Sequence, residues 1–160
     1  MFALNEIMTT NVITVSLSTT LAEARSTMKE HRIRHLPVLN EGGEMVGLLT
    51  QSDVLAAADS ILRDAENRIP AREISIKDVM VTKIATVDEN ASLRQAALFL
   101  EKHRIGCLPV VTDDKLVGII TDTDFVGVAI NLLEQLEELE PVEEELEEVE
   151  PVEEEFEVAR

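Results

Sequence analysis

Three features of the 160-residue chain predict an α/β fold made of two tandem β-α-β-β-α repeats packed through their sheets with pseudo-two-fold symmetry. The first is an internal duplication: residues 8–57 align with 80–128, and 16 of the 49 aligned pairs are identical. The second is patterning, since each copy alternates short apolar runs with stretches of helical period. The third is composition: 45% of residues are apolar and only 2% aromatic, which calls for an aliphatic core.

Each copy opens on a β-rich stretch, Val12–Val15 and Ile84–Val87. A helix start follows. Thr20-Leu21-Ala22-Glu23 and Ser92-Leu93-Arg94-Gln95 both fit a capping box, in which a hydroxyl and the N3 side chain satisfy orphan N–H groups. Leu21, Ala24 and Met28, like Leu93, Ala96 and Leu100, recur at i, i+3, i+7 and form a stripe to be buried. Two strands come next, Leu36–Leu39 and Met45–Leu49 in the first copy, Leu108–Val111 and Leu116–Ile120 in the second. Asn40–Glu44 and Asp113-Asp114 read as their hairpin turns. A second helix begins at Thr50 or Thr121. A unit this small cannot cover both faces of its sheet alone, so the two copies are expected to pack together. The expected boundaries are 1–62 for the first repeat, 63–78 for a linker, 79–131 for the second repeat and 132–160 for an acidic tail.

Charge separates the tail from the rest. The net charge is −18, of which residues 131–160, with 14 Glu and one Arg, carry −13. An acidic chain without Trp or Tyr does not suit nucleic acid or an anionic membrane surface, so neither is an expected partner. Apolar residues in the tail recur about every three to four positions from Leu132 to Phe156, and Pro141 and Pro151 each suit a helix start. A partly helical solvated tail and amphipathic segments that dock on a surface both fit that pattern. The first residues lack a basic and apolar signal sequence, no run is long enough for a membrane helix, and Cys107 is the lone cysteine. A soluble cytoplasmic protein is expected.

The candidate chemistry lies at a repeated junction. Gly47–Val54 and Gly118–Phe125 both read as a strand ending in T-x-x-D at a helix start. The plain account is a cap, with the Asp at N3 favoured by the helix dipole. The same groups can also hold a ligand, because helix-start N–H groups accept a phosphate while hydroxyl and carboxylate bond a ribose. Cys107 reads as a buried thiol and the three histidines, His31, His35 and His103, as solvated side chains. No metal site, nucleophile–base pair, Walker loop or dinucleotide fingerprint is present in the motifs.

The duplicated h-x-x-L-P-V strand (Ile33–Val38, Ile105–Val110) and G-h-h-T-x-x-D-h junction resemble the tandem cystathionine-β-synthase (CBS) domain pair, or Bateman module, over about residues 7–130. The resemblance implies that Asp53 and Asp124 hold the ribose of an adenine nucleotide. It places Thr50, Ser52, Thr121 and Thr123 at ribose or phosphate, and the adenine near Ile13 and Ala85 and the strands of Pro37 and Pro109. Arg34 and His35 would meet phosphates beside Thr50, Ser52 and Asp53, whereas the second repeat has Gly106 and Cys107 there. The expected function is a non-catalytic regulatory module binding AMP, ADP or ATP, with S-adenosylmethionine also admissible. No catalytic cofactor is expected. A homodimer and a regulated partner protein are expected too. The alternative is a ligand-free interaction protein that uses the dimer and the acidic tail.

Overall fold

A computed structural model describes residues 3–63 and 69–139. Residues 64–68 of the expected linker and 140–160 of the expected tail lie outside the described residues. The chain divides into a compact unit of residues 1–127 and a second unit of 128–160, whose described part is the end of one helix.

In the first repeat, β1 (Val15–Ser16), α2 (Leu21–His31), β2 (His35–Leu39), β3 (Met45–Thr50) and α3 (Gln51–Arg63) follow a short α1 (Leu4–Ile7). In the second, α4 (Leu93–His103), β4 (Cys107–Thr112), β5 (Lys115–Thr121) and α5 (Asp122–Leu139) follow a 3-10 turn at Ile76–Asp78. β1 lies parallel to β2 and β2 antiparallel to β3, while β4 and β5 form an antiparallel pair. The expected first strands are shorter than the sequence suggests. Pairing begins only at Val15, and in the second repeat it is a single parallel bridge from Val87 to Val110. Val12 and Ile13, like Ile84 and Ala85, border cavities, where no neighbouring strand stands to hydrogen-bond them.

The local signals act as their chemistry requires. Thr20 Oγ1 accepts from Glu23 N while Glu23 Oε2 accepts from Thr20 N, and Ser92 Oγ accepts from Gln95 N. That backbone hydrogen bond holds the Glu23 carboxyl below its ordinary pKa. Asp113 and Asp114 take consecutive positive φ of 50° and 62°, the geometry of a two-residue type I′ hairpin. Arg32 and Arg104 cap α2 and α4 in the left-handed region, at φ of 53° and 51°, and turn the chain from helix into strand.

The two cores exchange their N-terminal segments. Leu21, Ala24, Met28, Leu36, Val38, Leu49, Val54 and Ile76 form one core, so the second repeat's leading segment completes the first repeat. Leu4 joins Ala96, Leu100, Leu108, Val110 and Ile120 in the other. The backbone repeats the exchange: Val81 pairs with Leu48 through two 2.9 Å hydrogen bonds, and Thr9 pairs with Ile119 at 2.9 and 3.0 Å. Gly47 and Gly118 lie under these crossings. A Cβ at either would collide with the thioether of Met80 or Met8 respectively, so a close approach requires glycine there. Residues 69–78, within the segment expected to be a linker, therefore contribute packing as well as connection: Ile74 O accepts from Leu21 N and Ala71 O from Ala22 N at the start of α2.

Candidate functional site

Each T-x-x-D junction is a cap whose carboxylate is half committed. Thr50 N and Thr50 Oγ1 both donate to Asp53 Oδ2, at 2.9 and 2.6 Å, and Asp53 N donates to Thr50 Oγ1 at 3.2 Å. Thr121 N and Oγ1 donate to Asp124 Oδ2 at 2.7 and 3.1 Å. All four bonds to carboxylate use Oδ2, so Oδ1 of either Asp carries none of them. The cap fixes each side chain through one of its two carboxylate oxygens.

Two cavities lie at these junctions. The larger, about 640 Å³, is bordered by Thr50 and Ser52 of the first repeat together with Ile84 and Ala85 and the chain from His103 to Cys107 of the second. The smaller, about 260 Å³, is bordered by Thr121, Thr123 and Asp124 of the second repeat together with Ile13 and the chain from Arg32 to His35 of the first. Each cavity thus joins one repeat's hydroxyls to the other repeat's first strand. Thr50 and Ser52 border the larger cavity together with Arg34 and His35 of their own repeat, and segments of the second repeat complete its wall. The pseudo-two-fold places the end of β3 beside the start of β4, and the end of β5 beside the start of β2. Arg34 and His35 border both cavities.

Three of the expected residues stand outside the cavity walls. Pro37 and Pro109 are fully buried in the middle of β2 and β4 and border neither cavity. Asp53 stands behind Thr50 and is not in the wall of the larger cavity, whereas Asp124 is in the wall of the smaller one.

Several basic groups escape a reading confined to one repeat. Lys83, His103 and Arg104 border the larger cavity and Arg32 the smaller. The left-handed caps explain the two arginines, because that turn carries their side chains off the helix end toward the cleft. The triplets His31-Arg32-Ile33 and His103-Arg104-Ile105, repeated in the two copies, carry that signal in the sequence. Phe99 stacks on His103 with ring centroids 4.2 Å apart, forming an apolar wall beside the cations.

The centre between the cavities is electrostatically mixed. Arg34 Nη2 lies 3.4 Å from Asp122 Oδ1. Burial, then the Arg34 charge, hold the His35 imidazole below its ordinary pKa, and Asp122 opposes them. Burial pushes the Cys107 thiol up to about 12, with Asp122 adding to the effect. Such a thiol stays protonated and inert, as its strand position suggests.

Comparison with known proteins agrees with this architecture. The CBS domain family model matches residues 4–60 and 76–131. The CBS domain-containing protein YhcV of Bacillus subtilis is 34% identical over 120 residues, covering 75% of this chain and 80% of YhcV. The crystal structure of AcuB from Vibrio cholerae superposes with a TM-score of 0.73 at 41% identity, over 88% of this chain and 99% of AcuB. The CBS pair of protein MJ0100, solved with 5′-methylthioadenosine and S-adenosylmethionine, has a TM-score of 0.71 at 25% identity, covering 82% and 98% of the two chains. CBSX2, solved with AMP, has 0.70 at 26%, covering 83% and 99%. Two family matches, one on each repeat, lead to one assignment: the chain belongs to the CBS domain family and carries a tandem CBS pair.

Proposed function

We propose that the chain is a non-catalytic regulatory module whose two clefts bind an adenine nucleotide or a related adenosyl ligand. One observation carries the reading: in both cavities a hydroxyl-bearing strand-to-helix junction faces an apolar first strand and several cations. Each part suits one portion of such a ligand. The apolar backbone at Ile84 and Ala85, or at Ile13, accepts a flat base. Thr50 and Ser52, or Thr121, Thr123 and Asp124, offer acceptors and donors to a ribose. The helix start and the arginines attract phosphate. The ligands of MJ0100 and CBSX2 support the class without selecting among AMP, ADP, ATP and S-adenosylmethionine. Exposed Leu55, Leu98 and Val126 on α3, α4 and α5 support a homodimer as the working form.

Titration calorimetry with adenosine, AMP, ADP, ATP and S-adenosylmethionine tests the reading. Asp124→Ala should remove the smaller cleft's site for every ligand, since the ribose is common to all. Asp53→Ala, which frees Thr50 from its cap, should weaken the larger cleft's site for every ligand. A ligand at 100 times its Kd should add about 2.7 kcal/mol to stability. Heat and stability unchanged by all five ligands would instead favour a ligand-free interaction protein.

A further inference from the structure

Arg34 borders both cavities, and the repeat symmetry shows why it has no counterpart. Arg34 O accepts from Gln51 N at 2.8 Å, and Gly106 O accepts from Asp122 N at 3.0 Å, so Arg34 and Gly106 occupy equivalent positions facing each other. A Cβ at Gly106 would stand 3.1 Å from His35 Nε2 and 3.7 Å from Asp122 Oδ2. His35 of the first repeat and Asp122 of the second stand beside the space that Gly106 leaves open. Among the described residues Arg34 is the one arginine that borders both cavities.

The remaining cations are divided. Lys83 and Arg104 border only the larger cavity and Arg32 only the smaller. His35 borders both, but burial and the neighbouring Arg34 charge hold its pKa down and make it the poorer cation of the two. Arg34 is held by Asp122 at 3.4 Å, with the two side chains 56% and 54% exposed. An exposed pair of this kind contributes little, so a phosphate on either side can draw the guanidinium away.

Resting on the adenosyl-ligand reading above, we infer that Arg34 is a phosphate-binding cation shared by the two clefts, so that a polyphosphorylated ligand in one weakens phosphate binding, but not adenosine binding, in the other. Linkage makes the effect reciprocal. Loss of one charge-assisted hydrogen bond corresponds to about tenfold or more in affinity.

The test uses the full chain with isotope-labelled isoleucine methyls, in which Ile13 reports the smaller cleft and Ile84 the larger. Adenosine and ATP are titrated into wild type, Ala85→Trp (which plugs the larger cleft), and Arg34→Gln in each background. The ATP-over-adenosine preference at Ile13 should rise about tenfold on plugging, and Arg34→Gln should abolish that rise. An unchanged preference overturns the inference. So does a rise that survives Arg34→Gln, because repulsion between neighbouring phosphates then explains it. Should Ala85→Trp abolish the adenosine response at Ile13, Ile13→Trp plugs the smaller cleft and Ile84 gives the same comparison. If neither ligand shifts Ile13 or Ile84 in wild type, the adenosyl reading fails and the sharing of Arg34 with it; binding without a plug-dependent preference overturns the sharing alone.

Discussion

His35 sits between opposing influences, and its protonation is a measurable consequence. Burial and Arg34 lower its pKa against the pull of Asp122. On acidification the unfolded chain takes up a proton at His35 before the folded chain does. The associated stability is intact above the ordinary pKa of 6.5 and is lost as pH falls through the lowered folded-state value. From about pH 7.5 to about pH 5, the Tm of wild type should therefore fall more than that of His35→Gln. Parallel Tm curves would contradict the assignment. The repeated hydroxyls and acids were readable from the sequence because duplication singles out Thr50, Asp53, Thr121 and Asp124. Their neighbours across the cleft were not, because no spacing within one repeat says which copy's Arg34 or Gly106 will face them. Pro37 and Pro109 lie outside the cavity walls because β2 and β4 are buried on both faces there, which a motif that only marks the strand does not reveal.

Helices and hairpins followed their local signals closely, from the Thr20–Glu23 box to the double-aspartate turn. The first strands did not, since a cavity replaces the partner strand that would extend them. Least apparent was the value of short segments that carry almost no periodicity. Leu4 and Ile76 are fully buried, each in the core of the repeat it does not belong to by alignment. Leu4→Ala and Ile76→Ala should each lower stability by about 2–5 kcal/mol, the range for a large-to-small core change. Urea denaturation checks this, and a loss below about 0.5 kcal/mol at either position would mean that the segment is not part of the cooperative fold.

Taken as a molecule, the chain pairs a nearly balanced body with a strongly acidic end. The body, residues 1–130, has 18 acidic and 13 basic side chains, while residues 131–160 add −13. Several of the body's cations line the clefts, so the tail's negative charge would oppose phosphate binding there. Removing residues 140–160, which leaves α5 whole, should strengthen ATP binding at low salt and change it little at high salt, since salt screens exposed charges. Calorimetry at two ionic strengths decides it; equal affinities at low salt would exclude such opposition. No helix among the described residues is long and apolar enough to cross a membrane.

The exchange of leading segments also sets a timetable for synthesis. Chains emerge from the ribosome N-terminus first, and independent domains ordinarily fold in that order. Here Leu4 and Thr9 are made first, yet their partners include Leu108, Ile119 and Ile120, among the last residues of the pair to appear. The first repeat also lacks Ile76 and its Val81 pairing until translation has passed into the second. A nascent chain exposed only as far as about residue 100 thus holds one core just closed and the other without its central strands, with α1 still waiting for a place to dock.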